Sequence, residues 1–203
     1  MKKIKNDIDT WIFDLDNTLY SADSGIFQQV HILMGKFVSK HLNIEINEAK
    51  ELQKKYYKEH GTTLRGMMDN HGVDPDLFLS EVHKLDYSIV RPNEELNKQL
   101  EKLEGRKIIY TNANRQHADD VLKKLKLDHM FTEIFDVKTA NYIPKPKIEP
   151  YKKIIKDFEI NPSKAIMFDD IAKNLVPAKN VGFTSVWIDA GYENFSDDIA
   201  SSK

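Results

Sequence analysis

The sequence predicts an α/β protein: a doubly wound parallel-sheet core of Rossmann-like type, carrying an inserted helical subdomain. Three observations lead there. Five short apolar segments, TWIFDL, KIIYT, EIFDV, AIMFD and TSVWID, begin at or near Thr10, Lys107, Glu133, Ala165 and Thr184. Each is brief, rich in Ile, Val and aromatic residues, and bounded by polar punctuation, as buried strands are. Their near-continuous apolar character points to burial on both faces, as in a parallel sheet. Helical patterns separate the last four, which implies right-handed crossovers. Between the first and second strands lie about 90 residues of helical pattern, far beyond the roughly 2–6 residues of an ordinary βα or αβ loop.

In chain order, the stretch from Ser24 to Ser39 spaces Ile26, Phe27, Val30, Leu33, Met34, Phe37 and Val38 for a helix. Asn47 is placed to cap EAKELQKKYYKEH, and Asp74-Pro75 supplies a cap and first turn ahead of DLFLSEVHKL. The helical subdomain is therefore expected over residues 20–90, with the α/β core built from 1–19 and 91–203. After Arg91-Pro92, NEELNKQLEKLEG puts Leu96, Leu100 and Leu103 on one face, with Gly105 as the stop. Asn114 is expected to cap RQHADDVLKKL, whose Val121, Leu122 and Leu125 turn inward. A further helix spans about Pro150 to Phe158, with Tyr151, Ile154, Ile155 and Phe158 inward, and a shorter one follows Ala172. Pro177 is expected to confine that last helix to the residues after it, or to kink it. The tail after Asp189 reads as polar and loose.

Composition narrows the function classes. Apolar residues make up 40% and charged residues 31%, as in ordinary globular proteins. A net charge of −2 argues against a nucleic-acid partner. The absence of cysteine excludes disulfides and thiolate metal sites. No apolar run approaches the roughly 20 residues needed to span a bilayer, and the first residues lack the apolar core of a signal peptide. A cytoplasmic protein without a membrane partner is expected. Nothing in the sequence sets the oligomeric state.

Chemistry gathers at strand ends. The first strand ends at Asp14, the second at Thr111-Asn112 and the fourth at Asp169-Asp170. In an open α/β sheet the carboxyl ends of the strands share one edge, where ligands bind. Asp14, Asp16, Asp169 and Asp170 meeting there would be unstable without a cation or partial protonation. All-oxygen ligands favour a hard ion, Mg²⁺ above all, and Mg²⁺ commonly couples to phosphate. Thr111 adds a hydroxyl, the following helix an N-terminus suited to an anion, and Lys145, in the PKP turn, a point charge. The seven histidines show no metal-ligand spacing and read as structural or surface residues; His117 is the nearest to the site.

These motifs carry a resemblance. Asp14-Leu15-Asp16-Asn17-Thr18, Thr111 in IIYTNAN, Lys145 in IPKPKIEPY and Asp169-Asp170 in MFDDIAKN stand in the order of the four motifs of the haloacid dehalogenase (HAD) superfamily, which the sequence resembles over nearly its whole length. The stretches YYKEHGTTLRGMMDNHGVDP, TNANRQHADDVL and FDDIAKNL are similar to the pyrimidine 5′-nucleotidase branch. Ala113-Asn114 departs from the usual continuation of the second motif.

The resemblance implies a Mg²⁺-dependent phosphomonoesterase acting on nucleoside 5′-monophosphates, pyrimidine ones foremost. Asp14 would be the nucleophile and Asp16 the general acid and base. Asp14, the Asp16 backbone carbonyl and Asp170 would hold the metal, with Asp169 acting through water. Thr111, the Asn112 NH and Lys145 would bind phosphate, and Arg65 with Tyr57, or its neighbour Tyr56, in the cap would contact substrate. Gly61 and Gly66 bracket that segment as lid hinges. The alternatives are a sugar-phosphate phosphatase or phosphosugar mutase on the same mechanism, and a non-catalytic module phosphorylated on Asp.

Overall fold

The computed structural model describes residues 7–131 and 133–191. All five apolar segments form strands: β1 (Thr10–Phe13), β2 (Arg106–Tyr110), β3 (Glu133–Phe135), β4 (Ala165–Asp169) and β5 (Thr184–Trp187). They pair in parallel in the order β3-β2-β1-β4-β5. Phe13 registers with Ile109 on one side and Phe168 on the other, so the ends of the three middle strands are level. That register delivers Asp14, Thr111 and Asp170 to one edge. β1 is buried throughout, as two-sided covering requires. β5 departs from the expected burial: as the edge strand, its Thr184 and Trp187 are exposed.

The chain divides into two compact units. The first comprises the residues through Ser21 together with Val90–Ala190. Around its sheet lie α5 (Glu94–Glu101), α6 (Arg115–Leu125), α7 (Ile148–Asp157) and α8 (Ala172–Asn180). One core cluster joins Ile12, Ile108 and Met167 of the sheet to Tyr151 and Ile154 of α7 and Leu175 and Ala178 of α8. Asn114 caps α6, its side chain accepting from the His117 NH at 3.0 Å. α5 stops at Glu101, short of Gly105. Gly105 serves the entry to β2 instead: at φ 99° a Cβ there would lie 2.3 Å from the Asp9 carbonyl oxygen. Pro177 does not confine the helix to the residues after it, because α8 runs from Ala172 through it to Asn180. The proline removes a single NH, and burial of Leu175, Pro177 and Ala178 offsets that loss.

The second unit is built on Ala22–Ile89. It holds α1 (Ile26–Leu42), α2 (Ile46–His60), α3 (Thr63–His71) and α4 (Pro75–Val82). Asp74 caps α4, accepting from the Asp76 NH at 2.9 Å. Asn47 does not cap α2, which begins a residue earlier with Glu45 in the capping position. α3 is an element with no counterpart in the sequence reading, and it takes up Arg65 and Gly66. Thr62 caps it, accepting from the Arg65 NH at 3.1 Å. No helix among the described residues is long and apolar enough to cross a membrane. Most of the tail after Asp189, and the core beyond residue 191, lies outside the described residues.

Candidate active site

At the carboxyl edge of the sheet, Asp14 directly follows β1, its NH bonded to the Phe168 carbonyl at 2.9 Å. The ladder thus fixes the residue that begins the loop. Lys145 reaches this point from the loop before α7 and is buried, at 2% exposure. Its ammonium donates to Asp14 Oδ1 at 2.6 Å, Asp169 Oδ2 at 2.7 Å and the Tyr110 carbonyl at 3.0 Å. Three acceptors use the three N–H bonds of the ammonium. Asp169 is fully buried and also accepts from Asn174 Nδ2 at 3.0 and 3.1 Å and from the Ile171 NH at 2.9 Å. Tyr151 donates to the Asn174 carbonyl at 2.7 Å, which ties the support to the core.

Asp170 lies beside them. Thr18 Oγ1 is within hydrogen-bonding reach of both Asp14 Oδ2, at 3.2 Å, and Asp170 Oδ1, at 3.3 Å. The Asp170 backbone carbonyl accepts from Trp187 Nε1 at 2.8 Å. Asp14, Asp169 and Asp170 each bring a carboxylate oxygen within 4.8 Å of the others. Burial pushes the Asp14 pKa well up, Lys145 pulls against this, and Asp169, Asp170 and Asp16 add to the rise. Burial works against the charge on Lys145, but Asp14 and Asp169 outweigh it and hold its pKa well above the usual value. One ammonium among three buried carboxylates leaves an excess of negative charge. An all-oxygen donor set with that excess fits a hard divalent cation such as Mg²⁺.

The loop after β2 supplies the next group. Thr111 is buried, its NH bonded to the Phe135 carbonyl at 3.1 Å, and its Oγ1 accepts from the Ala113 NH at 3.0 Å. Asn112 Oδ1 accepts from the Lys145 NH at 2.9 Å, so the loops carrying the second and third motifs are joined directly. Ala113 and Asn114 keep this loop in order, Asn114 as the α6 cap and Ala113 through its carbonyl, which accepts from Val137 NH at 3.1 Å.

Asp16 points to a different set of partners. Its Oδ1 lies 2.8 Å from His117 Nε2 and also accepts from the Tyr20 hydroxyl. His117, read as structural or surface, is buried, at 1% exposure, in the first turn of α6 and reaches Asp16. The signal that marks it is position, three residues after the cap of a helix that starts at the strand-end edge.

In the second unit, Arg65 pairs with Asp69, Nη2 to Oδ1 at 2.7 Å and Nε to Oδ2 at 3.0 Å. Tyr57 is partly exposed on α2. Tyr56 is buried, with its hydroxyl 2.6 Å from His71 Nε2. Gly66 is helical, and its role is close packing against Tyr56.

A parallel sheet with buried acids and one ammonium at its carboxyl edge defines a class of α/β hydrolytic fold. Residues 11–188 match the haloacid dehalogenase-like hydrolase family, and the chain belongs to it. Phosphate metabolism protein 8 of Saccharomyces cerevisiae is 27% identical over 61% of this chain, an alignment spanning 42% of the yeast protein. The glyceraldehyde 3-phosphate phosphatase of Methanocaldococcus jannaschii is 23% identical over 92% of this chain and 88% of its own. Among solved structures, the magnesium-bound HAD-hydrolase YfnB of Bacillus subtilis shares the fold, with a TM-score of 0.61 at 15% identity over 92% of this chain and 89% of that one.

Proposed function

We propose that this protein is a Mg²⁺-dependent phosphomonoesterase that works through an aspartyl-phosphate. The observation that supports it best is the buried Lys145 bridging Asp14 and Asp169 beside Asp170. Asp14 attacks phosphorus, forming the Asp–O–P bond as the P–O bond to the leaving group breaks. Asp16 gives its proton to the leaving oxygen, then takes one from the water that cleaves the aspartyl-phosphate, which frees inorganic phosphate and restores Asp14. Lys145 favours the ionised form of Asp14 against the effect of burial and draws a phosphoryl oxygen toward it. Thr111 and the Asn112 NH hold the other phosphoryl oxygens. Asp14, Asp170 and the Asp16 carbonyl would hold Mg²⁺, with Asp169 behind them; when bound, the ion neutralises the phosphoryl oxygens as charge moves between them.

For the substrate, similarity of the YYKEHGTTLRGMMDNHGVDP stretch to the pyrimidine 5′-nucleotidase branch favours a nucleoside 5′-monophosphate. The inserted helical unit then acts as a cap, with Arg65 and Tyr57 contacting the nucleoside. A second reading, a sugar or triose phosphate, is favoured by the archaeal relative, similar over nearly its whole length and named for glyceraldehyde 3-phosphate. Phosphate release from UMP, CMP, AMP and glyceraldehyde 3-phosphate, with Mg²⁺ and with chelator, separates the two. Asp14→Asn is expected to abolish release from every ester. Release that persists in this variant would refute the covalent route.

A further inference from the structure

We propose that His117 is a positioning residue for proton transfer: together with Tyr20 it occupies Oδ1 of Asp16, so that Oδ2 is the oxygen that carries the mobile proton. The inference rests on the reading of Asp16 as the acid and base of an aspartyl-phosphate mechanism. It goes beyond that reading in naming the residue that sets the geometry of Asp16.

Four observations meet here. His117 Nε2 lies 2.8 Å from Asp16 Oδ1 across 101 positions of sequence. The same oxygen accepts from the Tyr20 hydroxyl. The imidazole is 1% exposed, so it cannot swing to solvent. Its backbone is pinned, because the His117 NH donates to the Asn114 cap at 3.0 Å, and the preceding loop is tied to Val137.

The chemistry follows from lone-pair arithmetic. An ionised carboxylate only accepts, with about two sites on each oxygen. The proposal places the imidazole proton on Nε2; that N–H and the Tyr20 O–H then use both sites on Oδ1. A proton passing to the ester oxygen, or arriving from water, is then confined to Oδ2. The same two bonds hold the Asp16 side-chain torsion. A group that must meet the leaving oxygen in one step and a water in the next gains from a fixed direction, since small misplacements of catalytic groups cost rate steeply.

Esters with different leaving groups distinguish positioning from simple structural support. An alkyl phosphate needs its leaving oxygen protonated, whereas p-nitrophenolate departs without help. kcat/KM covers the steps through formation of the aspartyl-phosphate, and so reads this difference directly. His117→Ala is expected to lower kcat/KM for glyceraldehyde 3-phosphate or UMP about 10–100-fold. The loss for p-nitrophenyl phosphate should be about tenfold smaller, because that leaving group does not call on the acid. His117→Gln, whose amide nitrogen can stand where Nε2 does, should recover a large part of the alkyl-ester activity. Thermal denaturation of both variants checks that the fold persists, and His117→Gln carries the test if His117→Ala does not fold. Equal losses on alkyl and aryl esters, or no recovery in a folded His117→Gln, would overturn the assignment. A wild-type protein inert toward every ester would overturn the phosphatase reading itself, a different result from either.

Discussion

Lys145 and Asp14, 131 positions apart in sequence, form a buried ion pair with Nζ 2.6 Å from Oδ1. The pair exists because β1 ends where the loop before α7 crosses the sheet edge. Asp14 has no residue of opposite charge in its own motif. The pair sets the charge around the carboxyl proposed as the nucleophile, and its removal is the most direct probe of the site.

Lys145→Met keeps most of the side-chain volume but leaves Asp14 and Asp169 facing each other with no ammonium between them. Breaking a buried pair in this way costs about 3–5 kcal/mol, measured by urea denaturation. Burial already raises the Asp14 pKa, and loss of the Lys145 ammonium raises it further. The expected fall in kcat/KM is at least about 100-fold, the scale for losing a preorganised charge at a reacting centre. Lys145→Arg should not restore activity, because a site that is 2% exposed and lined by three acceptors has no room for a guanidinium fork. Full activity in the arginine variant would show that charge alone matters.

Metal binding can be read without turnover. A ligand that binds only the folded state stabilises it by about 2.7 kcal/mol at a hundred times its Kd. Wild-type protein should therefore melt at higher temperature in MgCl₂ than in chelator. In Asp170→Asn the shift should vanish or shrink to a small remainder, while the melting temperature in chelator changes little or rises, since one of three crowded buried carboxylates is gone. An unchanged Mg²⁺ shift in this variant removes Asp170 from the ligand set.

The parallel sheet is legible in the sequence because strand ends and chemistry coincide: TWIFDLD, IIYTN and AIMFDD each run from apolar residues straight into polar ones. The contact between Asp16 and His117 is not legible in the same way. It depends on the rotation of α6 about its axis, set by the Asn114 cap, and on the path of the loop after β1, neither of which leaves a periodic trace. α3 is hidden for a different reason. Nine residues, Thr63–His71, with a glycine in the middle carry too little pattern to stand apart from a loop. The exposure of β5 reflects sheet order, which Val and Trp in its sequence do not encode.

Gly66 offers a test of the packing in the helical unit. A Cβ added there would lie 2.3 Å from Tyr56 Cγ and 2.5 Å from Tyr56 Cβ, atoms close to the α2 backbone that cannot swing aside. Alanine favours a helix over glycine by about 1 kcal/mol, but forcing α2 and α3 apart costs about 1–3 kcal/mol. Gly66→Ala should be destabilised on balance, by urea denaturation, with the core site's Mg²⁺ shift retained. A stabilised variant would show that α2 and α3 separate easily and that the glycine serves another purpose.

His31 predicts a pH dependence that belongs to the helical unit and not to the catalytic groups. Burial lowers its pKa from 6.5 to about 4. Its Nδ1 lies 3.1 Å from Gln53 Nε2, an amide donor, which fits a neutral ring accepting at that nitrogen. Between those two values the unfolded chain binds a proton that the folded chain refuses. Stability from this group is therefore fully present above about pH 6.5, declines as pH falls, and is lost by about pH 4. The whole swing is about 3 kcal/mol. Urea denaturation at pH 7.5 and pH 5 should show the wild type losing more stability than His31→Gln, which cannot titrate. Equal losses in the two proteins would place the acid sensitivity elsewhere in the chain.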